Sequence, residues 1–236
     1  MVSIILPTYN ERDNLEILVK KILKVLNKES LSGNIIIIDD NSPDGTGKIA
    51  QKLSLTHPNQ VFYIKRGQKQ GLGSAYLVGF KKALELGAKY IFEMDADLSH
   101  SPRDIPRFLK AMKDYDLAIG SRYIPQGKIE NWNINRKLIS RGGTIYAKTI
   151  LGLPINDLTS GFKCFRREVL EKIDLNNIQS DGYAFQIELT YKAAQRGFKI
   201  KEIPITFYER KAGISKFSKK IFFEAISVVW KLRLKK

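Results

Sequence analysis

Asp95 and Asp97 are carboxylates one residue apart, placed at the end of the apolar run Ile91-Phe92-Glu93-Met94 and followed by Leu98-Ser99-His100 and Pro102. The run is rich in β-formers and turn residues follow it, so the pattern predicts a strand that ends in a loop. Side chains alternate faces along an extended chain, which lets Asp95 and Asp97 point the same way. Two converging carboxylates repel unless a cation lies between them, and a hard, oxygen-seeking ion such as Mg²⁺ or Mn²⁺ suits them. Metal-assisted handling of a diphosphate is the chemistry this spacing can do. Asp is also a turn residue, and the pair alone is equally satisfied by turn chemistry.

The elements around the pair decide between these readings. Val2 to Leu6 is an apolar strand stopped by Pro7, with Thr8-Tyr9-Asn10-Glu11 as a polar loop. Leu15, Leu18, Val19, Ile22, Leu23 and Leu26 then recur at helical spacing. Ile35 to Ile38 is a continuous β-branched run, as in a strand covered on both faces, and Asp39 to Gly45 closes it with carboxylates and turn residues. A helix from Gly47 to Leu55, a strand from Val61 to Ile64 and a helix opened by Gly71-Leu72-Gly73-Ser74 follow. Gly71 and Gly73 lack the third glycine of a dinucleotide fingerprint and follow the third strand, so close packing or a tight helix start explains them better. The alternation predicts a Rossmann-like, doubly wound α/β fold with a mostly parallel central sheet. In such sheets ligands bind beyond the carboxyl ends of the strands. Pro7 to Glu11, Asp39 to Asp44 and Asp95 to Ser99 all fall there, which favours a site over three unrelated turns.

Cations follow the acidic loops. Arg103 to Lys113 reads as a helix, and Leu117 to Ile119 as a strand ending in Gly120-Ser121-Arg122-Tyr123. An arginine at that edge can meet a diphosphate bidentately, although a salt bridge is its competing use. Arg136, Ser140 and Arg141 share one sector of a helix from about Asn135 through Ile150. Beside an anion site they could hold a second phosphate. Phe162 to Phe165 reads as extended, with Cys164 as a small core residue, Tyr183 to Arg196 as a helix, and Phe198 to Tyr208 as an edge strand around Pro204. His57 and His100 read as loop residues without a motif partner.

The 236 residues suffice for one sizeable core, and we expect a single domain over 1–236. Forty basic against 24 acidic residues give a net charge of +16, which calls for an anionic partner such as nucleic acid, an anionic membrane or phosphorylated substrates, or else a surplus of solvated lysines. One cysteine excludes a disulfide framework and a cysteine zinc site. The start of the chain lacks the pattern of a signal peptide, and no apolar run reaches the roughly 18 residues needed to cross a bilayer. Ser215 to Lys236 carries Phe217, Ile221, Phe222, Val228, Val229 and Leu232 among lysines. That suits an amphipathic helix at an anionic membrane surface, or one packed on the protein itself.

Pro7-Thr8-Tyr9-Asn10-Glu11, Asp39-Asp40-Asn41-Ser42-Pro43-Asp44-Gly45, Met94 to His100, Gly120-Ser121-Arg122-Tyr123, Arg136 to Gly142 and Gly213-Ile214-Ser215-Lys216 occur in an order and spacing that resemble the dolichyl-phosphate mannose synthases. These are family 2 glycosyltransferases with the GT-A fold. The resemblance implies inverting transfer of mannose from GDP-mannose to a polyprenyl (dolichyl) phosphate, giving a β-linked phosphosugar and GDP. It implies that Pro7, Tyr9, Glu11, Ile38 and Asp40 hold the nucleotide. Asp95, Ala96 and Asp97 would then reach the ribose, metal and sugar diphosphate. Ser99 stands where some relatives have a glutamine metal ligand. Arg122, Arg210 and Lys216 match phosphate-contacting residues, and Arg136 and Ser140 match acceptor-side positions. Asp97, Arg122 and Arg136 are the residues expected to carry catalysis. Asp157 lies in a suitable loop to orient the acceptor and is not assigned as a base.

The resemblance also implies a peripheral enzyme on the cytoplasmic face of a membrane, attached by its tail, by a membrane-anchoring subunit or by the lipid acceptor. Transfer of glucose or another sugar from a UDP- or GDP-sugar is the alternative within the fold. A basic nucleic-acid-binding module is the alternative from another class, and no nucleic acid is expected because such a module does not explain acidic loops at strand ends.

Overall fold

The computed structural model describes residues 1–132, 134–178, 180–209 and 219–234. Val2–Thr8 forms β1 and Arg12–Lys28 forms α1, followed by β2 (Gly33–Asp39), α2 (Thr46–Thr56), β3 (Val61–Lys65), α3 (Leu72–Glu85) and β4 (Tyr90–Glu93). After a 3-10 turn at Pro102–Asp104 come α4 (Ile105–Ala111), β5 (Leu117–Ser121), β6 (Lys128–Ile129), α5 (Ile134–Leu151) and β7 (Lys163–Arg166). The chain continues through α6 (Arg167–Lys172), α7 (Gly182–Gln195), β8 (Ile200–Pro204), β9 (Thr206–Phe207) and α8 (Lys219–Leu234). Seven strands form one sheet in the order β3-β2-β1-β4-β7-β5-β8, and β6 pairs with β9 in a small second sheet. The large sheet is parallel except for β7, which runs antiparallel to both β4 and β5.

The isoleucine run of β2 shows why this sheet sits between two layers. Ile35 and Ile37 pack with Leu15, Leu18 and Val19 of α1 on one face, and Ile36 and Ile38 with Tyr76 and Phe80 of α3 on the other. All four isoleucines are fully buried, each contributing roughly 1.5–3 kcal/mol of burial free energy.

Pro7 does not stop β1, which runs on to Thr8. Ile5 pairs with Glu93, the last residue of β4, and its carbonyl accepts from Met94 N–H, so Ile5 and Pro7 point their backbone groups toward β4. By Pro7 that strand has ended, and the N–H that proline lacks has no ladder partner to lose. Leu6 and Thr8 face β2, where Thr8 O accepts from Asp40 N–H.

Gly71 has φ of 98°, a left-handed conformation that starts α3. A Cβ on Gly73 would lie 2.8 Å from Ser180 O and from the Phe185 ring, so this glycine serves close packing. β8 is the edge strand expected around Pro204, but the extended segment changes sheets there. Ile205 N–H donates to Ser121 O, and Thr206 and Phe207 turn away to pair with β6. Of the expected tail helix, α8 begins at Lys219, and residues 215–218, 235 and 236 lie outside the described residues.

Candidate active site

Two of the acidic loops are laced together before any ligand is considered. Asn10 N–H donates to Ser42 Oγ at 3.0 Å, Glu11 N–H to Thr46 Oγ1 at 2.9 Å and Arg12 N–H to an Asp44 carboxylate oxygen at 3.1 Å. The loop after β1 therefore takes its shape from the loop after β2. Asp40 is buried and paired with Arg66, whose guanidinium also donates to Ser74 Oγ and to Gly71 O at 2.9 Å. That pair fixes the 66–74 segment, and the Lys69 ammonium sits 4.2 Å from the centre of the Tyr9 ring.

The Asp95 to His100 loop is built from the other side of β1. Asp97 is buried and one of its oxygens accepts from Ser99 N–H at 3.0 Å, while Tyr208 N–H donates to Ser99 O at 3.1 Å. Asp95 is the more open carboxylate. The Tyr76 hydroxyl donates to it at 3.5 Å, and Asp95 N–H donates to His100 Nδ1 at 3.4 Å. His100 is thus a buried anchor of this loop, stacked on Phe162 at 5.1 Å, and not the unpartnered loop residue expected from sequence. Burial pushes the Tyr76 phenol well above its usual pKa, and Asp95, Glu93 and Asp97 add to the shift, so the hydroxyl remains a donor.

Beneath the loop, Glu93 and Lys163 are cross-strand partners with no exposure. Burial raises the Glu93 pKa against the attraction of Lys163, and lowers that of Lys163 against the attraction of Glu93. Lys163 donates to Gln186 Oε1 at 2.6 Å, which ties the sheet to α7.

The opposite wall carries cations. Arg136, on α5, lies with its guanidinium 4.0 Å from the Trp132 ring centre and pairs with Glu209 at 3.1 Å. Arg122 is placed differently. Its Nε and one terminal nitrogen each donate to Asp157 at 2.7 Å, the same terminal nitrogen reaches Thr159 Oγ1 at 2.9 Å, and its backbone N–H donates to Asp157 at 3.0 Å. Burial alone would favour the neutral guanidine, but the Asp157 carboxylate overrides it and drives the pKa upward. The Tyr123 hydroxyl donates to Ser140 Oγ at 2.8 Å, joining the end of β5 to α5.

A pocket of about 350 Å³ lies where these walls meet. It brings together Pro7, Tyr9, Glu11 and Asp40 from the first two loops, Asp95, Ala96 and Asp97 from the third, and Arg136 from α5. Ile38 is a core residue whose carbonyl accepts from Thr8 Oγ1, and neither Arg122 nor Ser140 lines the pocket. Arg210 and Lys216 lie outside the described residues. Sequence reasoning missed Lys69, Thr159 and the Asp181-Gly182-Tyr183 turn, all of which line the pocket. Asp181 accepts from Gly73 N–H at 2.6 Å, filling an open donor at the start of α3. Its signal was available as a polar turn ahead of a helix.

The residues present fit a divalent cation bound together with a diphosphate. Among the described residues no three His, Cys, Asp or Glu side chains converge, so the chain offers two carboxylates and leaves most of the shell to phosphate oxygens and water. Mg²⁺ and Mn²⁺ accept such a donor set. The Ser99 hydroxyl, fully buried, has no hydrogen-bond partner among the described residues and is joined through its N–H to Asp97.

Comparison with known proteins agrees with this geometry. Residues 3–174 match the model of the family described as glycosyl transferase family 2. A polyprenol monophosphomannose synthase from Mycolicibacterium smegmatis is 45% identical over 233 residues, covering 98% of this chain and 86% of that protein. An undecaprenyl-phosphate mannosyltransferase from Micrococcus luteus is 42% identical over 222 residues, covering 94% and 89%. Among solved structures, glucosyl-3-phosphoglycerate synthase from Mycobacterium tuberculosis, crystallised with Mn²⁺, UDP-glucose and phosphoglyceric acid, superposes with a TM-score of 0.68 at 16% identity, over 98% of this chain and 80% of that one. At that identity the likeness speaks to the fold alone, and it is the α/β GT-A arrangement. The acidic loops at the strand ends, the fold and the family match lead to one conclusion: this chain is a member of glycosyl transferase family 2.

Proposed function

We propose that the protein transfers mannose from GDP-mannose to a polyprenyl phosphate with inversion, releasing GDP and a β-linked polyprenyl phosphomannose. The observation that carries this reading is the meeting of the Asp95-Asp97 loop and Arg136 in one pocket. The names of the two mannosyltransferase relatives support the sugar and the lipid class of the acceptor.

Asp95 and Asp97 would hold Mg²⁺ or Mn²⁺, with Ser99 contributing its hydroxyl directly or through water. The ion, when bound, neutralises charge that develops on the leaving diphosphate. Tyr9 and Lys69 offer a stacking surface and a cation to the nucleotide, and Asp40, held by Arg66, shapes the wall beside them. Arg210 and Lys216 are assigned by resemblance to the donor phosphates. Arg136 receives the acceptor phosphate, exchanging its pairing with Glu209 for one with the incoming anion. Ser140 and Tyr123 steady α5 behind it. A phosphomonoester has a second pKa of about 6, so the acceptor is already mostly dianionic near neutral pH. It needs no strong base, and the contribution asked of the protein is alignment for in-line attack. Arg122 acts from beneath, through Asp157 and Thr159, on the shape of the pocket floor.

The acceptor places the enzyme at a membrane, on the cytoplasmic face as a peripheral protein, alone or with an anchoring subunit. The test is incubation with GDP-mannose, a short-chain polyprenyl phosphate and Mg²⁺, with the product's anomeric configuration read by NMR. A β-mannosyl phosphate is expected. An α-linked product, or release of free mannose alone, would contradict the mechanism.

A further inference from the structure

Eleven large apolar side chains are exposed among the described residues, and six of them lie on two helices: Ile134, Leu138, Ile139 and Ile145 on α5, and Trp230 and Leu234 on α8. The remainder are scattered as single residues or stand near the pocket, which is ordinary for a surface. At 3.6 residues per turn, Ile134, Leu138 and Ile145 fall within roughly 40° of one another, forming a stripe along α5. Their exposures are 72%, 64% and 55%. Lys137 and Arg141 border the stripe on one side, and α5 contains no carboxylate. Ala147 and Leu151, on the opposite side of α5, are in the core, and Arg136 on that side reaches the pocket. α8 packs against α5 and adds exposed Lys231 and Arg233 beside Trp230.

We infer that the outer stripe of α5, extended by the exposed residues of α8, docks in the headgroup layer of an anionic bilayer. An apolar face bordered only by basic groups, on a protein of net charge +16, is complementary to that surface and to few others. None of the described helices is long and apolar enough to cross a membrane, so the stripe lies on the lipid and does not span it. The same helix then faces lipid with one side and presents Arg136 to the pocket with the other, across a helix diameter of about 10 Å. A lipid-linked phosphate reaches Arg136 without its chain leaving the bilayer. This last consequence rests on the proposed activity, whereas the docking does not.

The test uses the whole protein and the double variant Leu138→Glu/Ile145→Glu, sedimented with vesicles containing phosphatidylglycerol and with vesicles of phosphatidylcholine alone. Wild type should bind the anionic vesicles, and the variant should bind about ten-fold more weakly or worse. Thermal melting and turnover of a short, water-soluble acceptor should be unchanged. If the double variant is poorly folded, Lys137→Ala/Arg141→Ala serves in its place, and its binding to anionic vesicles should fall several-fold. Equal sedimentation of wild type and variant would overturn the proposal. So would a wild type that dimerises through this face without binding vesicles, shown by light scattering as a variant reduced to monomer. If vesicle binding depends on the stripe but wild type turns over no acceptor, the docking stands and the proposed activity falls.

Discussion

Arg122 and Arg136 look alike in sequence, each a cation near a polar segment, yet the fold places them in opposite circumstances. Arg122 and Asp157 have side chains 5% and 0% exposed and form a bidentate pair backed by Thr159. Arg136 and Glu209 are 30% and 39% exposed and meet through one contact at the pocket wall. A buried pair is costly to break because the surviving charge has no water to turn to. An exposed pair is weak and exchangeable, as required of a group that must release one anion to take another. The difference teaches that burial, more than residue type, separates a cation that maintains the site from one that works in it.

Breaking the buried pair should have the largest effect. Asp157→Ala leaves the Arg122 guanidinium uncompensated and should cost about 3–5 kcal/mol of stability, a drop of roughly 10 °C or more in Tm, measurable by calorimetry. A variant with wild-type melting would mean that the pair is not the anchor described. Arg136→Ala should leave stability within about 1 kcal/mol, because the pair it removes is exposed. Its acceptor KM should rise roughly 10- to 100-fold, the equivalent of one hydrogen bond to a charged group, with donor KM little changed. An increase confined to donor KM would move Arg136 to the other substrate. The smallest effect belongs to Glu209→Gln, which weakens the anion that competes for Arg136 and should lower acceptor KM by up to about five-fold. A higher acceptor KM would show that Glu209 positions Arg136 for the acceptor and does not compete with it.

Much of the first half of the molecule was legible in its residues. Ile35 to Ile38 announces a strand covered on both faces, and the α1 positions Leu15 to Leu26 are buried as their spacing requires. Both signals are local, arising from burial repeated at the period of one element. The antiparallel direction of β7 was not legible, because Phe162 to Phe165 reads as extended in either orientation and only the long path through α5 sets it. Nor was the partner of Arg122, since Asp157 lies 35 residues away and no pattern joins them. The acidic loops could be placed because sheet topology fixes strand ends. Asp181 and Lys69 could not, because their approach to the pocket depends on how α3 meets α7 and how Arg66 folds the segment before α3.

The account's central claim is most directly tested by offering the purified protein equimolar GDP-mannose and UDP-glucose with one short-chain polyprenyl phosphate and Mg²⁺ or Mn²⁺, and identifying the product by mass spectrometry. The account predicts polyprenyl phosphomannose and GDP, with turnover lost on chelation of the metal and in Asp97→Ala. Polyprenyl phosphoglucose as the product, or turnover that survives both chelation and Asp97→Ala, would contradict it.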